Sequence, residues 1–304
     1  MKPPSIRARK RRGPTSGPLP IASSQPSLGR RGRADQAFTR LEALAIGIGI
    51  GLLALLALPT WGGFRTVGDQ QGCLANFHQL TRAWLIYSDD YSGTLPGNLD
   101  GGEAISIANT NRTWAVGWLD FTASPSNTNT TLLRNSQLGP YVDSLSIYRC
   151  PADGSRHRSG TGELRSRSVS MNGYLGARQF PWTPGYRIYT NLNSIVEPSP
   201  SECLVFVDER EESLNDACFL ISMEGYDPVQ ATRTVLVDFP AMRHEGGASM
   251  SFADGHAEVW RWADARTRSG LRPGLILPLN VNQPNNPDVR RLQHSASRRS
   301  VSIP

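Results

Sequence analysis

The sequence lacks the short motifs that mark most enzymes. It contains no G-x-S-x-G pattern, no glycine-rich phosphate-binding signature, and no grouping of serine, histidine and aspartate that would suggest a nucleophilic triad. These absences argue against a serine hydrolase and against a nucleotide-binding enzyme. We therefore expect a protein that is not an enzyme and that has no catalytic residue.

Cysteine is also scarce. The chain has four cysteines, and none of them belongs to a C-x-x-C pair, which argues against a zinc ribbon and a thioredoxin-type motif. Two interpretations stay open: disulfide bonds if the protein is exported, or free thiols buried in a core. The sequence does not choose among the pairings of Cys73, Cys150, Cys203 and Cys218.

Acidic residues are almost absent from the N-terminal region. Residues 1–37 hold many lysines and arginines but a single acid, Asp35. Positive charge directly before an apolar segment is typical of the side that stays in the cytoplasm, and no pattern of a nucleic-acid-binding fold follows it. We expect residues 1–37 to be a basic leader that is disordered or cleaved, and we expect no nucleic-acid partner.

A long hydrophobic run is lacking as well. The apolar run from residue 43 to residue 58 has 16 residues, whereas a membrane-spanning helix needs about 20. Phe38 on one side and residues 59–64 on the other bring the segment to marginal length. Glu42 lies at its N-terminal edge, where a carboxylate is costly to bury in lipid.

The next segment has the periodicity of an amphipathic helix. Phe77, Leu80, Trp84 and Tyr87 recur at spacings of three and four residues, and Gly93 then supplies a stop signal. We expect this helix to bury one face against the rest of the protein.

Beyond this helix, short segments are separated by Gly, Pro, Asn and Ser. Strand-like patterns cover residues 113–121, 201–210 and 217–222, the last two joined by an acidic turn. Residues 248–262 give the clearest β-hairpin, because Asp254-Gly255 is a strong turn signal between alternating residues.

These patterns divide the chain into four parts. They are the basic leader over residues 1–37, a transmembrane and amphipathic helix over 38–92, an α+β head over 93–262, and a loose C-terminal tail over 263–304.

Several of these segments resemble a known family. "AFTRLEALAIGIGIGLLALLALP" resembles the N-terminal segment of type IV pilins and type II secretion pseudopilins. "CLANFHQLTRAWLIYSDDYSGTLPGN", "YRCPAD", "SVSMNGYLG", "FVDE", "SLNDACF" and "RHEGGASMSFADGHAEVWRW" resemble segments of the large pseudopilin-like proteins of planctomycetes and verrucomicrobia. The resemblance covers roughly residues 36–265.

The resemblance implies a pilin-like α+β fold, in which a long N-terminal helix spans the membrane with its first half and packs on an antiparallel sheet head. It also implies cleavage after Ala37 by prepilin peptidase and N-methylation of Phe38. Glu42 would then neutralise the new N-terminal ammonium of a neighbouring subunit and so guide assembly. The sequence departs from the family in having Ala37 instead of glycine before the cut and Arg40 instead of an apolar residue.

The function implied by the resemblance is that of a structural subunit of a type II secretion or type IV pilus-like filament. Its partners would be prepilin peptidase, other pilin-like subunits in a homo- or hetero-oligomeric filament, and the cytoplasmic membrane. The protein would be a single-pass inner-membrane protein, with a cytoplasmic N-terminus and a periplasmic or extracellular head.

Metal sites are a weaker expectation. Asp208, Asp254, His244 and His256 are candidate ligands, and a metallohydrolase would require His244, Asp254 and His256 to converge. Their spacing matches no strong metal motif, and polar turn residues that bond the backbone explain it more simply.

Two further alternatives concern ligands. Calcium would suit an acidic segment, although a solvated turn explains the same residues; these residues are Asp208, Glu209, Glu211, Glu212 and Asp216. A membrane-tethered binding module for a glycan or surface ligand would need exposed tryptophans; the candidates include Trp84, Trp114, Trp118, Trp182, Trp260 and Trp262.

Overall fold

A computed structural model describes residues 39–158, 161–176, 183–230, 232–272 and 274–300, and within these ranges the side chains of residues 54–67 are not described. The predicted processing residues Ala37 and Phe38 lie outside the described residues. The chain divides into two compact units, residues 1–54 and 55–304.

Helix α1 (Arg40–Asp90) begins in the first unit with a capping box. The Thr39 backbone N donates to Glu42 Oε2 over 2.9 Å, and the Glu42 backbone N donates to Thr39 Oγ1 over 3.3 Å. This reciprocal pair satisfies backbone donors that the first turn of a helix leaves free. Glu42 therefore has a local role at the start of the helix.

The large apolar side chains that the structure describes in the first unit are exposed. They are Leu41, Leu44, Ile46, Ile48, Ile50, Leu52 and Leu53. Even so, no helix in the described part of the chain is both long enough and apolar enough to cross a membrane. This finding contradicts the predicted single-pass location in the cytoplasmic membrane. The charges at the N-terminal edge and the shortness of the apolar run, already visible in the sequence, work against such a span.

In the second unit, α1 packs one face against the head. The buried positions on this face include Cys73, Phe77, Leu80, Trp84 and Tyr87. Their spacing of three and four residues places them on one side of an α-helix. The predicted amphipathic helix is therefore confirmed over this stretch.

The described residues of the second unit form seven strands. They are β1 (Val169–Asn172), β2 (Leu204–Asp208), β3 (Cys218–Phe219), β4 (Val235–Leu236), β5 (Gly247–Phe252), β6 (Ala257–Arg261) and β7 (Val281–Asn282). Five of them form one sheet in the order β3-β1-β2-β5-β6, while β4 and β7 form a separate pair.

The large sheet is mixed, which contradicts the predicted pilin-like fold with its antiparallel sheet. Strand β3 pairs with β1 in parallel, with Met171 opposite Cys218, whereas the other neighbours in this sheet are antiparallel. We expected the segments of β2 and β3 to be joined by an acidic turn. Instead, residues 209–217 carry the chain from β2 past β1 to its far side, where β3 pairs in parallel with β1.

The predicted hairpin is confirmed. Strands β5 and β6 pair in antiparallel register from Gly247 opposite Arg261 to Ser251 opposite Ala257. Gly255 at the turn has φ +96°, a backbone conformation that residues with a Cβ rarely adopt.

The predicted strand at residues 113–121 does not form. Gly117 has φ +117°, which breaks the extended backbone. The backbone N–H groups of this segment bond to separate parts of the chain and not to a neighbouring strand, as Gly117 N donates to Ala104 O in a short helix (Gly101–Ile105) and Leu119 N donates to Asn215 O in a loop. The indole of Trp114 is buried and donates to Ala217 O over 3.2 Å.

Helix α4, at Pro287–Ala296, lies in the segment that we expected to be loose. Two short helices precede it in the chain, α2 (Gly101–Ile105) and α3 (Thr131–Asn135). The side chain of Asn286 caps α4 by accepting from the backbone N–H groups of Asp288 and Val289. Val289 and Leu292 join a core formed with β5 and β6.

Short 3₁₀ helices connect these elements. They are Ile107–Arg112, Pro125–Asn127, Gly139–Tyr141, Leu145–Tyr148 and Leu192–Ser194.

Candidate metal centre

Four side chains of metal-ligating type meet in the interior of the head. They are Cys73, Cys150, Asp208 and His244, and one ligand atom from each lies within 4.8 Å of the other three. Cys73 comes from α1, Cys150 follows a 3₁₀ helix, Asp208 ends β2, and His244 precedes β5. Residues from four separate parts of the chain therefore share one buried point.

The spacing fits a tetrahedral transition-metal site. Zinc–sulfur bonds of ~2.3 Å and zinc–nitrogen bonds of ~2.0 Å place neighbouring ligand atoms ~3.3–3.8 Å apart. The observed upper limit of 4.8 Å is within ~1 Å of that range. Small side-chain rotations would therefore bring the four atoms to bonding distance of one ion.

Asp208 has one oxygen engaged and one without a partner. Its Oδ1 accepts from Ser168 Oγ over 2.9 Å and from Arg243 Nη1 over 2.8 Å. Its Oδ2 is buried and has no hydrogen-bond partner among the described residues. A buried oxygen without a partner is costly, and beside two thiols and an imidazole it is placed as a metal ligand would be.

Ser168 links two of the four residues. It accepts a hydrogen bond from the Cys150 backbone N over 2.9 Å, and its hydroxyl donates to Asp208. Its position follows from the sheet, because the next residue, Val169, is opposite Asp208 in the β1–β2 pair. Such outer hydrogen bonds orient metal ligands and hold their geometry.

Arg243 supplies positive charge next to the centre. It forms ion pairs with Asp208 over 2.8 Å and with Asp153 over 3.2 Å, and it also donates to Glu209 O. Burial alone would lower the pKa of Arg243, but Asp153 and Asp208 raise it overall. With a divalent ion, two thiolates and one carboxylate, the centre would carry one excess negative charge, which Arg243 offsets.

Burial and mutual contacts favour protonated ligands before an ion binds. A hydrogen bond with Cys73, together with burial, raises the pKa of Cys150. Burial raises the pKa of Asp208 against the lowering effect of Arg243. Binding of an ion must therefore displace protons from the centre.

The imidazole of His244 lies against the Cys150 thiol. Its Nε2 is 3.3 Å from Cys150 Sγ. Burial lowers the pKa of His244, but the hydrogen bond with Cys150 and the nearby charges raise it overall.

A tight turn presents His244 to the centre. The backbone groups of His244 and Gly247 exchange hydrogen bonds of 3.1 and 3.0 Å around Glu245 and Gly246, whose φ angles are +53° and +79°. A Cβ at Gly247 would lie 2.3 Å from Trp260 O, so no larger residue fits there. The two glycines of the sequence "HEGG" thus position the histidine.

Other contacts hold Cys73 and Cys150 side by side. Asn76 Nδ2, one turn after Cys73, donates to Arg149 O over 3.0 Å. A Cβ at Gly72 would lie 3.2 Å from Pro151 Cγ, so α1 and this loop are in close contact on both sides of the thiols.

The predicted metal candidates separate into two groups. Asp208 and His244 belong to the centre, whereas Asp254 and His256 form an exposed pair at the hairpin turn, with His256 Nδ1 2.6 Å from Asp254 Oδ1. His244, Asp254 and His256 do not converge, which removes the geometry that a metallohydrolase would need. Cys73 and Cys150, for which the sequence left free thiols and disulfide partners open, complete the centre with Asp208 and His244.

The acidic segment has other partners. Glu212 pairs with Arg210 over 2.7 Å, Glu209 accepts from Ser170 and Ser213, and Asp216 accepts from the backbone N–H groups of Gly101 and Cys218. In the ranges that the structure describes, these carboxylates form no metal-type cluster of their own. The oxygens of Glu209, Glu212 and Asp216 serve internal hydrogen bonds and one ion pair.

The tryptophans whose side chains the structure describes do not form an exposed platform. Trp84, Trp114, Trp260 and Trp262 are buried, and Trp118 is half-buried. Trp182 lies outside the described residues. The described tryptophans therefore pack the interior, and they do not offer the surface that a glycan-binding module needs.

Comparison of the chain with protein-family models, with curated proteins and with solved structures gave no match. The function therefore has to be inferred from the centre itself.

Proposed function

We propose that this chain is a metal-binding structural protein, in which Cys73, Cys150, Asp208 and His244 hold one zinc ion. The observation that carries the proposal is the buried Asp208 Oδ2, which has no hydrogen-bond partner among the described residues and lies in a group of two thiols and an imidazole. An ion would use all four groups at once and would satisfy that oxygen.

The donor set favours zinc. Two thiolates and an imidazole are softer ligands than calcium or magnesium prefer, because those ions select oxygen. Zinc accepts sulfur, nitrogen and oxygen in a tetrahedral arrangement. Copper(I) would prefer a site made of sulfur, and the Asp208 carboxylate does not suit it.

The burial of the centre supports a structural role. Cys73, Cys150 and Asp208 have no exposed surface, and His244 is 2% exposed. Catalytic zinc sites use three protein ligands and leave a position for water or substrate, whereas structural sites use four protein ligands and are closed. The zinc would fasten α1 to the sheet and to the loop that carries Cys150.

Metal content and ligand variants test this proposal. The purified full chain is expected to contain one equivalent of zinc by elemental mass spectrometry. The cobalt(II)-substituted protein should show thiolate-to-cobalt charge-transfer absorption. Cys73→Ala, Cys150→Ala, Asp208→Asn and His244→Ala should each lose the metal.

Matched controls come from the same sequence. Cys203→Ala and Cys218→Ala remove buried thiols outside the centre, and Asp254→Asn and His256→Ala alter the exposed pair. All four controls should keep one equivalent of metal. A wild-type chain that binds no zinc or cobalt, or a control that loses it as the ligand variants do, would overturn the proposal.

We also propose that the chain is part of a larger assembly, because its N-terminal segment resembles that of pilins and pseudopilins. In this proposal it is a structural subunit of a secretion or pilus-like filament, with prepilin peptidase and other pilin-like subunits as partners. The exposed apolar side chains of residues 41–53 favour a partner on this segment. A zinc-fastened head would be compatible with such a passive role.

The mature N-terminus tests this second proposal. Mass spectrometry of the protein from its native source should find a chain that begins with N-methylated Phe38, cut after Ala37. An intact N-terminus, or a cut elsewhere, would contradict the assignment. Glu42→Ala should leave cleavage unchanged and reduce assembly if the carboxylate neutralises the new ammonium.

A further inference from the structure

We propose that the centre is a redox-controlled clasp: an oxidant joins Cys73 and Cys150 in a disulfide when the metal is absent, and the disulfide prevents metal binding. This inference rests on the proposed zinc site and adds its regulation. The same two sulfur atoms would serve either as zinc ligands or as a covalent cross-link.

The geometry brings the two sulfur atoms together without help from an ion. They lie within 4.8 Å of each other in a structure that holds no ion. A disulfide requires a sulfur–sulfur distance of ~2.05 Å, so the atoms need to approach by less than ~3 Å. Rotation of two side chains between staggered positions can supply such a movement.

The surrounding backbone stays in place when the ion leaves. The hydrogen bond from Asn76 to Arg149 O and the close approach of Gly72 to Pro151 do not involve a metal ligand. These contacts lie on both sides of the thiol pair, so α1 and the Cys150 loop remain neighbours in the metal-free protein.

The other two cysteines are placed differently. Cys203 lies just before β2, while Asp208 ends that strand, which puts them ~16 Å apart along the sheet. Cys218 begins β3 at the edge of the sheet. Neither belongs to the group of four. Oxidation within one chain should therefore select Cys73 and Cys150.

The chemical step balances with a peroxide as oxidant. One thiol loses its proton, and the resulting thiolate attacks a peroxide oxygen and breaks the O–O bond, giving a sulfenic acid and a hydroxide that takes up the released proton to become water. The second thiol also loses its proton, and its thiolate attacks the sulfenic sulfur and forms the S–S bond, while the displaced hydroxide takes up this second proton to become a second water. Two thiols and hydrogen peroxide thus become one disulfide and two water molecules.

Zinc should protect both thiols. In a closed four-ligand site each sulfur bonds to the metal, so neither sulfur is free to attack the peroxide. Oxidation would then require release of the ion or local opening of the centre. The disulfide, once formed, removes two of the four ligands and should keep zinc out until a thiol reductant restores them.

The test compares zinc-loaded and metal-free full-length protein after addition of hydrogen peroxide. Peptide mapping by mass spectrometry without reduction should find the Cys73–Cys150 link in the metal-free protein. The zinc-loaded protein should form it at least about tenfold more slowly. The oxidised protein should bind no cobalt(II), and treatment with dithiothreitol should restore binding.

Variants make the assignment specific. Cys203→Ser and Cys218→Ser should form the link as the wild type does, whereas Cys73→Ser and Cys150→Ser should not. If removal of the metal abolishes the native circular dichroism, a second measurement decides. Peroxide is then added to zinc-loaded protein with a chromogenic zinc chelator, and zinc release should rise together with the Cys73–Cys150 link.

The outcomes separate the two proposals. A chain that binds one zinc but forms no Cys73–Cys150 link, or that links Cys203 and Cys218 equally well, would overturn the clasp and leave the zinc site intact. A reduced chain that binds no zinc would overturn the zinc site and the clasp together.

Discussion

Replacement of Cys73 by alanine should make the head insensitive to zinc. The change removes one of the four proposed ligands and leaves three, one of which is the Asp208 carboxylate held by Ser168 and Arg243. The side chain lost is small, so the packing cost alone should be about 1 kcal/mol. Any larger effect on the free energy of unfolding must come from the metal.

The contribution of the bound metal to the free energy of unfolding follows from mass action. An ion that binds only the folded chain stabilises it by about 4 kcal/mol when its free concentration is about 1,000 times the dissociation constant. For a domain of this size, each kcal/mol shifts the melting temperature by about 2–4 °C. The wild type in buffered zinc should therefore melt about 10 °C above the same protein with a chelator.

The assay is thermal unfolding followed by circular dichroism, in buffered zinc and in chelator. The wild type should respond to zinc and Cys73→Ala should not, while the two proteins should agree within about 1 kcal/mol in chelator. Cys203→Ala is the matched control, because it removes a fully buried thiol outside the centre. Cys203→Ala should lower the free energy of unfolding by the same amount with and without zinc.

Two results would refute this reasoning. If Cys73→Ala keeps the full response to zinc, Cys73 is not a ligand. If the wild type shows no response while it contains zinc, the ion binds without stabilising the head, and the proposed fastening of α1 is wrong.

Three further predictions concern other parts of the head. Burial raises the pKa of Asp216 from 3.8 to about 6, so the stability that its protonated carboxyl contributes is complete below pH 3.8 and is lost as the pH rises through 6. In urea unfolding, the free energy of unfolding of the wild type should rise by about 1 kcal/mol relative to Asp216→Asn between pH 7 and pH 5. A difference between the two proteins that does not change with pH would contradict the raised pKa. Gly176 has φ +67°, and a Cβ there would lie 1.9 Å from Pro96 O. Gly176→Ala should lower the free energy of unfolding by more than about 2 kcal/mol in the same assay. A change near zero would show that this contact can relax. Asn286→Ala should lower the free energy of unfolding by about 1 kcal/mol, because the Asn286 side chain caps α4 by accepting a hydrogen bond from the Asp288 backbone N–H. Asn286→Asp keeps the acceptor oxygen and should lower the free energy of unfolding less. Equal losses in the two variants would argue against the cap.

The sequence predicted the local elements whose signals are short-range. The spacing of Phe77, Leu80 and Trp84 correctly gave the buried face of α1, and Asp254-Gly255 correctly placed the β5–β6 turn. The helix α4 was missed although its start is marked by Asn286 followed by a proline, a combination typical of a helix N-terminus. The polar residues around it suggested a loose tail.

The metal centre could be predicted only in part. Asp208 and His244 were among the candidates, but Cys73 and Cys150 were not joined to them, because no short spacing connects residues from four distant segments. A hint lay in the charges next to the ligands. Arg243 beside His244 and Asp153 close to Cys150 form an ion pair in the structure.

Sheet order was the least predictable feature. The pattern of apolar and polar residues predicts that a segment is a strand and which of its faces is buried, but it does not show which other strand pairs with it. The parallel pairing of β3 with β1 depends on where residues 209–217 lead the chain. That path is set by buried contacts such as those of Glu209 and Asp216, which the sequence showed only as an acidic turn.

The four proposed ligand residues are far apart in the chain, and this affects when the centre can form during synthesis. During synthesis Cys73 and Cys150 emerge well before Asp208 and His244, so a nascent chain cannot complete the centre until the β5 turn has left the ribosome. Metal uptake would then coincide with closure of the sheet rather than precede it. A cell short of zinc would accumulate chains whose centre is empty and whose head is less stable.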